Sequence, residues 1–218
     1  MVRGQFDSAH PTKIWNCHFS SIPLQKYYKY KIMKHTLYHG TSSVHLDKIL
    51  ESGLVPRYNN DSDWECASRP DMIYLTSAYP LYFAEHSITN HGGEPVVFEV
   101  EVDSSRLYPD EDFLEQATRG IQYSETTKDL YNDLQGLDMA QRTEYFRDSL
   151  ELHKSMYDRS LTRLGNCCHK GIIKPKRIRR YVIPDMSIRR MSDPQIHMSN
   201  FKFMSHYYAD LIHEMFNK

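Results

Sequence analysis

The sequence predicts a single α+β domain, and three observations favour this fold class. The chain has 218 residues, which is enough to bury a substantial core. Hydrophobic residues make up 40% of the chain and charged residues 25%, as in an ordinary globular protein. Strand-like and helix-like segments are mixed along the chain without a regular βαβ rhythm, which favours α+β over α/β.

The first strand and the first helix are predicted within residues 34–54. A short apolar run ends at His39-Gly40-Thr41, and apolar residues at helical spacing follow until Gly53. His39 and Gly40 stand where a buried strand is followed by a helix. This placement indicates either a simple turn or a loop that holds a ligand.

The central segments are predicted in chain order as a polar loop (55–71), a strand (72–77), a helix (78–90), a turn (91–95) and a half-buried strand (96–103). The later segments are predicted as an irregular acidic stretch (104–122), helical segments at about 125–136 and 138–161, two strands within 166–185 and an amphipathic helix at 200–218. The two helical segments form an insertion of about 124–162. The two late strands are separated at Lys174-Pro175, where proline interrupts regular pairing.

Composition excludes several classes of protein. The net charge of −1 produces no overall field that would attract nucleic acid or a membrane. Cys17, Cys66, Cys167 and Cys168 contain no C-x-x-C pair, so neither a zinc site nor a disulfide framework is expected. Free thiols are typical of a reducing cytoplasm, where we expect the protein. No apolar run approaches the roughly 20 residues that a membrane helix needs.

Residues 1–32 are predicted to be a weakly patterned arm. They contain scattered bases but no continuous apolar run, so they do not resemble a secretory signal. Because the first strand begins just after Met33, we expect the arm to be dispensable and the domain to span 33–218.

Charge is unevenly distributed along the chain. Seven acids lie between Glu99 and Glu115, and eight bases lie between Lys170 and Arg190. Such runs usually form solvated faces. If the bases share one face, phosphate is the group that this face would bind.

Three motifs in this order resemble the ADP-ribosyltransferase fold. They are the strand ending at His39-Gly40-Thr41, the strand "MIYLTS" with Tyr74 followed by a helix bearing "YFAEHS", and the strand "VVFEVEVD". The segment "KGIIKPKRI" is similar to the last-motif strand of that fold. The resemblance covers about 34–185 and is strongest to small bacterial members such as the rifampicin ADP-ribosyltransferases. It is more distant to the poly(ADP-ribose) polymerases. It implies split mixed or antiparallel sheets with flanking helices.

The resemblance implies a mono-ADP-ribosyltransferase that uses NAD⁺ as co-substrate and no metal. In the family, the first-motif glycine leaves the backbone open to the carboxamide of NAD⁺, and the neighbouring histidine bonds a ribose hydroxyl. Carried over, these roles fall to Gly40 and His39. Tyr74 would stack on nicotinamide, Tyr82 would cover its opposite face, and Thr41 would support the turn.

The sequence departs from the family at the final motif. The family places a glutamate there, whereas "GNCCHKGII" has no carboxylate. Asn166 or His169 could occupy the catalytic position, or an acid could come from elsewhere, with Glu125, Glu144 and Asp158 as candidates. The missing glutamate argues against polymer synthesis.

The acceptor is expected to be RNA or single-stranded DNA rather than protein. The bases beside the last motif are the reason for this preference, and they are Lys174, Lys176, Arg177, Arg179 and Arg180. Such an enzyme would be toxic if unrestrained, so a toxin or phage-defence effector controlled by an inhibitory partner is predicted.

Three alternatives remain open. RNA 2′-phosphotransferases also begin with H-G-T, but they carry histidine in place of Tyr74 and an additional N-terminal domain. A non-catalytic module that binds NAD or ADP-ribose would need no carboxylate. An unrelated interaction protein is the third alternative.

Overall fold

The computed structural model describes residues 32–58, 68–119, 134, 136–185 and 201–217. Ile32–Lys218 form one compact unit. The predicted arm lies outside the described residues except for Ile32, and the predicted helical segment at 125–136 does so except for 134 and 136.

The core of the fold is a six-stranded sheet in which every described pair of strands is antiparallel. The strands are β1 (Lys34–Ser42), β2 (Met72–Thr76), β3 (Pro95–Asp103), β4 (Leu107–Pro109), β5 (Asn166–Lys170) and β6 (Ile178–Val182). Their order across the sheet is β4-β5-β2-β1-β3-β6. The α+β class and the two late strands are therefore confirmed, and the parallel pairs of a mixed sheet are not found among the described strands.

Six described α-helices surround the sheet. They are α1 (Leu46–Ser52), α2 (Pro80–His91), α3 (Glu111–Arg119), α4 (Met139–Ser149), α5 (Tyr157–Arg163) and α6 (Phe201–Asn217). Helix α1 ends where expected, at Gly53, whose φ of 81° favours glycine and whose N–H bonds the Ile49 carbonyl at 2.8 Å. A Cβ on Gly53 would lie 2.1 Å from the Ile173 carbonyl oxygen, so close packing also requires glycine there.

Two predictions about the middle of the chain were wrong. The acidic stretch 104–122 is not irregular, because it contains β4 and α3. Its acids begin the helix, with Asp110 Oδ1 accepting from the Asp112 N–H at 2.8 Å. The segment 138–161 is not one helix, because a 3₁₀ turn at Leu150–Met156 separates α4 from α5.

The sheet consists of two three-stranded groups that meet between β1 and β2. Strand β1 pairs with β3 along its whole length, from Lys34↔Asp103 to Ser42↔Pro95. Between β1 and β2, both fully described, the register contains the single pair Tyr38↔Thr76. The two strands therefore diverge immediately after Tyr38, at the position of the H-G-T motif.

Apolar packing repeats this division on one face of the sheet. One cluster, which includes Val97, Leu81 and Ile212, packs α2 and α6 against the β1-β3-β6 group. A separate cluster, which includes Met72 and Phe146, packs α3 and α4 against the β2-β5-β4 group. On the opposite face a single cluster crosses both groups, so that face holds the halves of the sheet together.

Candidate functional site

His39 lies where β1 and β2 separate. Since successive strand residues point to opposite faces, its side chain shares the face of Leu37 and not that of Tyr38. Its Nδ1 lies 3.0 Å from the Tyr74 backbone oxygen. A carbonyl oxygen can only accept a hydrogen bond, so Nδ1 carries the proton and Nε2 is left as an acceptor.

The imidazole of His39 is neutral at neutral pH. Burial lowers its pKa from the usual 6.5, because the charged form loses its hydration. The bond to Tyr74 acts in the opposite direction, and the nearby Arg57 and His45 lower the pKa further. The site therefore presents an uncharged ring whose Nε2 has no hydrogen-bond partner among the described residues.

Gly40 is required by helix packing. A Cβ at this position would lie 1.9 Å from the Pro80 carbonyl oxygen and 2.6 Å from the Ala84 nitrogen. Any side chain would push α2 away from the sheet. This packing accounts for the glycine without a ligand, so the expected carboxamide contact remains a separate prediction.

Tyr74 is held by its hydroxyl group. The hydroxyl donates to Glu111 Oε1 at 2.6 Å and accepts from the Arg69 backbone N–H at 3.0 Å. Burial raises its pKa well above the usual value, and the adjacent Glu111 carboxylate raises it further. The ring is half-buried against the cluster beneath α3 and α4, on the sheet face opposite the His39 ring. The contact between the two motif residues therefore joins the histidine ring to the tyrosine backbone.

Thr41 and Tyr82 lie beside α2. Thr41 is buried, and its Oγ1 lies 3.5 Å from Ser87 Oγ on that helix, while its role in supporting the turn stays a prediction. Tyr82 is half-buried, with its ring centroid 5.4 Å from that of Phe83. The turn into α2 is fixed by Thr76, whose Oγ1 accepts from two backbone N–H groups and donates to the Gly165 carbonyl.

The two candidates on β5 lie at opposite ends of that strand. Asn166 pairs with Thr76 and so stands in the row where β1 and β2 meet. Its Oδ1 is buried without a hydrogen-bond partner. His169 is three residues further on, about 10 Å away along the strand. Its Nδ1 lies 3.1 Å from the Gly171 oxygen, and burial lowers its pKa. The structure thus brings Asn166, but not His169, close to the divergence of the strands.

The two described substitutes for the missing glutamate, Glu144 and Asp158, are not part of this arrangement. Glu144 is exposed and pairs with Arg147 at 3.2 Å on α4, and Asp158 is exposed on α5. Glu125 lies outside the described residues. Sequence reasoning missed Glu111, which is 4% exposed and bonds Tyr74. The available signal was its position in an acidic run at a helix start.

The predicted basic surface is largely neutralised by the predicted acidic run. Arg177 donates to Glu101 at 2.9 Å and to Asp103 at 3.0 Å, and Arg180 donates to Glu99 at 3.0 Å. Arg179 also pairs with Glu101. The two runs face each other because β3 and β6 are neighbours in the sheet.

This pairing corrects the expectation that five bases form one free surface. Three of them are engaged with carboxylates, while Lys174 and Lys176 are exposed on the connection before β6. The pKa of Glu101 falls to about 2, with Lys34 as the largest cause and Arg179 next.

No protein-family model matches the sequence, and no curated protein is significantly similar to it. Within the part of the chain that the structure describes, no helix is long and apolar enough to span a bilayer. The same residues contain no group of three His, Cys, Asp or Glu side chains suited to a metal ion.

Proposed function

We propose that the protein is a mono-ADP-ribosyltransferase that consumes NAD⁺. The observation that carries this proposal is the His39 ring at the divergence of β1 and β2, with Nδ1 bonded to the Tyr74 carbonyl and Nε2 left as an acceptor. An acceptor nitrogen at a strand opening suits a sugar hydroxyl, which donates one hydrogen bond. The resemblance described above supplies the sugar, namely the nicotinamide ribose.

The chemistry that follows needs little acid catalysis. Nicotinamide leaves as a neutral molecule from a cationic bond, taking the electron pair of the broken C–N bond. The acceptor then bonds the ribose carbon and loses a proton. Positive charge develops on the ribose, and a neutral His39 avoids the repulsion that an imidazolium would cause. The lowered pKa of His39 therefore supports the proposed role.

Of the two candidates on β5, Asn166 is the one proposed to serve the reacting sugar, from the sheet face that carries Tyr74 and across the strand opening from His39. Its unpaired Oδ1 is a neutral acceptor in the row that contains Thr76 and Tyr38. An amide oxygen stabilises a cation less than a carboxylate does. A non-catalytic module that binds NAD or ADP-ribose is therefore the second candidate, and the absence of Asp and Glu from β5 favours it.

We further propose RNA or single-stranded DNA as the acceptor. With three arginines paired to carboxylates, the preference over protein rests on the exposed Lys174 and Lys176. Modification of cellular nucleic acid would be toxic, so an effector role restrained by an inhibitory protein belongs to the same proposal.

One experiment separates these functions. Purified protein is incubated with labelled NAD⁺ and a cell lysate, nicotinamide release is measured, and the product is divided between nuclease and protease. We expect labelled material that nuclease removes. Label that protease removes would identify protein as the acceptor. Binding of NAD⁺ with neither labelling nor hydrolysis would identify a binding module.

A further inference from the structure

The Tyr74 hydroxyl joins three separate segments of the chain. Tyr74 belongs to β2, Glu111 is the first residue of α3, and Arg69 lies in the segment that enters β2. The hydroxyl uses both of its hydrogen-bonding functions, as donor to Glu111 at 2.6 Å and as acceptor from Arg69 at 3.0 Å. The orientation of the ring is therefore set by groups outside its own strand.

Both partners of the hydroxyl are themselves fixed. Glu111 is 4% exposed, and a buried carboxylate is stable only when it is hydrogen-bonded. Its pKa is raised by burial, whereas its bond from Tyr74 lowers it. The Arg69 guanidinium pairs with Asp71 at 2.8 and 3.0 Å and donates to the Arg147 carbonyl at 3.4 Å. The Arg69 backbone is thereby anchored to α4.

Tyr74 also orients His39 through its carbonyl oxygen. Tyr74 therefore connects Glu111 and Arg69, on one face of the sheet, to the His39 ring on the other face. A shift of β2 at Tyr74 would displace the carbonyl that sets the His39 tautomer.

We propose that Glu111 is a positioning residue for the NAD⁺ site, acting through the Tyr74 hydroxyl. This inference rests on the proposed function. By fixing β2 at Tyr74 before the ligand arrives, Glu111 keeps His39 in one position and removes the ordering that binding would otherwise require. Its loss should therefore weaken NAD⁺ capture more than it slows the chemical step.

The fold contains a matched control in Tyr108. Tyr108 lies on β4, packs in the same apolar cluster and donates to a carboxylate, Glu151, at 2.8 Å. Glu151 is exposed, pairs with Lys170 and lies 4.0 Å from the Arg69 guanidinium, and Tyr108→Phe leaves all three of these charged groups in place. Tyr108→Phe thus removes a similar hydrogen bond from the same side of the sheet.

The test compares Tyr74→Phe, Glu111→Leu, their double variant, Glu111→Gln and Tyr108→Phe. Nicotinamide release gives KM for NAD⁺ and kcat, and hydrogen exchange reports the Arg69 amide. Tyr74→Phe and Glu111→Leu should each raise KM about fivefold and leave kcat within about twofold of the wild-type value. A fivefold change in KM corresponds to the free-energy cost of ordering about one side chain when the ligand binds. The double variant should be no worse than either single one.

The remaining variants separate positioning from simple stabilisation. Glu111→Gln keeps an oxygen acceptor and should restore KM to within about twofold of the wild-type value. Tyr108→Phe should leave KM and the exchange of the Arg69 amide unchanged, whereas Tyr74→Phe should accelerate that exchange. An unchanged KM in Tyr74→Phe and Glu111→Leu, with normal wild-type turnover, would overturn this inference alone. A wild-type protein that neither binds nor consumes NAD⁺ would overturn the proposed function as well.

Discussion

His39 and Gly40 are adjacent in the sequence but serve opposite faces of the sheet. His39 shares the face of Leu37 and bonds the Tyr74 backbone, while Gly40 faces α2. The motif therefore combines a polar group at the strand opening with a close contact between a helix and a strand. Substitutions at the two positions should separate activity from stability.

We expect His39→Ala to abolish most NAD⁺ turnover while the protein stays folded. The substitution removes the Nε2 acceptor and leaves the Tyr74 carbonyl without one bond, which should cost about 1 kcal/mol of unfolding free energy. Turnover and urea denaturation measure the two effects. His213→Ala, at an exposed histidine of α6, is the control. Wild-type turnover in folded His39→Ala would remove His39 from the site.

The pH dependence of activity should follow the lowered pKa of His39. The proposed reaction needs the neutral ring, so activity should stay constant as the pH falls through 6.5, the usual histidine pKa, and decline only below it. Stability has the same sign, because a depressed pKa in the folded state means that stabilisation is lost as the pH falls. A kcat profile across pH 4.5–8 measures this, and a decline centred at or above 6.5 would contradict it.

Gly40→Ala should destabilise the fold by about 2–3 kcal/mol, because the added methyl overlaps the Pro80 carbonyl and must displace α2. Chemical denaturation measures the loss. Gly171→Ala is the comparison, since its Cβ meets open space and only its φ of 79° opposes the change. A smaller loss at Gly40 than at Gly171 would show that α2 adapts easily.

At the scale of elements, the neighbouring strands β3 and β6 bring the acidic and basic runs together. Glu101 lies near the centre of this contact and pairs with Lys34, Arg177 and Arg179. Its pKa of about 2, below the usual 4.5, shows that the folded protein favours the ionised form. Exposed pairs of this kind are screened by salt.

Glu101→Gln should lower stability at neutral pH, and the difference from wild type should shrink as the pH falls. A carboxylate with a depressed folded pKa stabilises the protein above about 4.5 and loses that effect towards about pH 2. Urea denaturation at several pH values, with and without added salt, measures this. Glu51→Gln, at an exposed residue of α1, is the control. A difference that is constant with pH would exclude the ion pairs as its cause.

At the scale of the whole molecule, the compact unit Ile32–Lys218 is held at its start by Met33. The Met33 N–H donates to Ser104 Oγ at 3.0 Å, and its carbonyl accepts from the Ser104 N–H at 2.8 Å. These bonds connect the beginning of β1 to the end of β3. The expected domain start at Met33 stays a prediction.

A chain that begins at Met33 should fold and keep its NAD⁺ turnover, because its first strand retains both bonds to Ser104. Thermal unfolding and nicotinamide release, compared with the full chain, measure this outcome. Failure of the shortened chain to fold would show that residues 1–32 contribute to the domain.

Local sequence patterns were sufficient to locate most elements. Short apolar segments identified β1 and β2, and alternation of apolar and acidic residues identified β3. Helical patterns identified α2 and α6, and Gly53 marked the end of α1 because its backbone conformation favours glycine. They also located His39 and Tyr74 at strand positions.

Only the tertiary structure decided which residues meet. Three features depend on segments that are far apart in the chain. They are the divergence of β1 from β2, the hydrogen bond from Tyr74 to Glu111, and the ion pairs between the basic run and the carboxylates of β3. Periodicity describes one segment at a time, whereas the register between strands is set by the packing of the whole sheet.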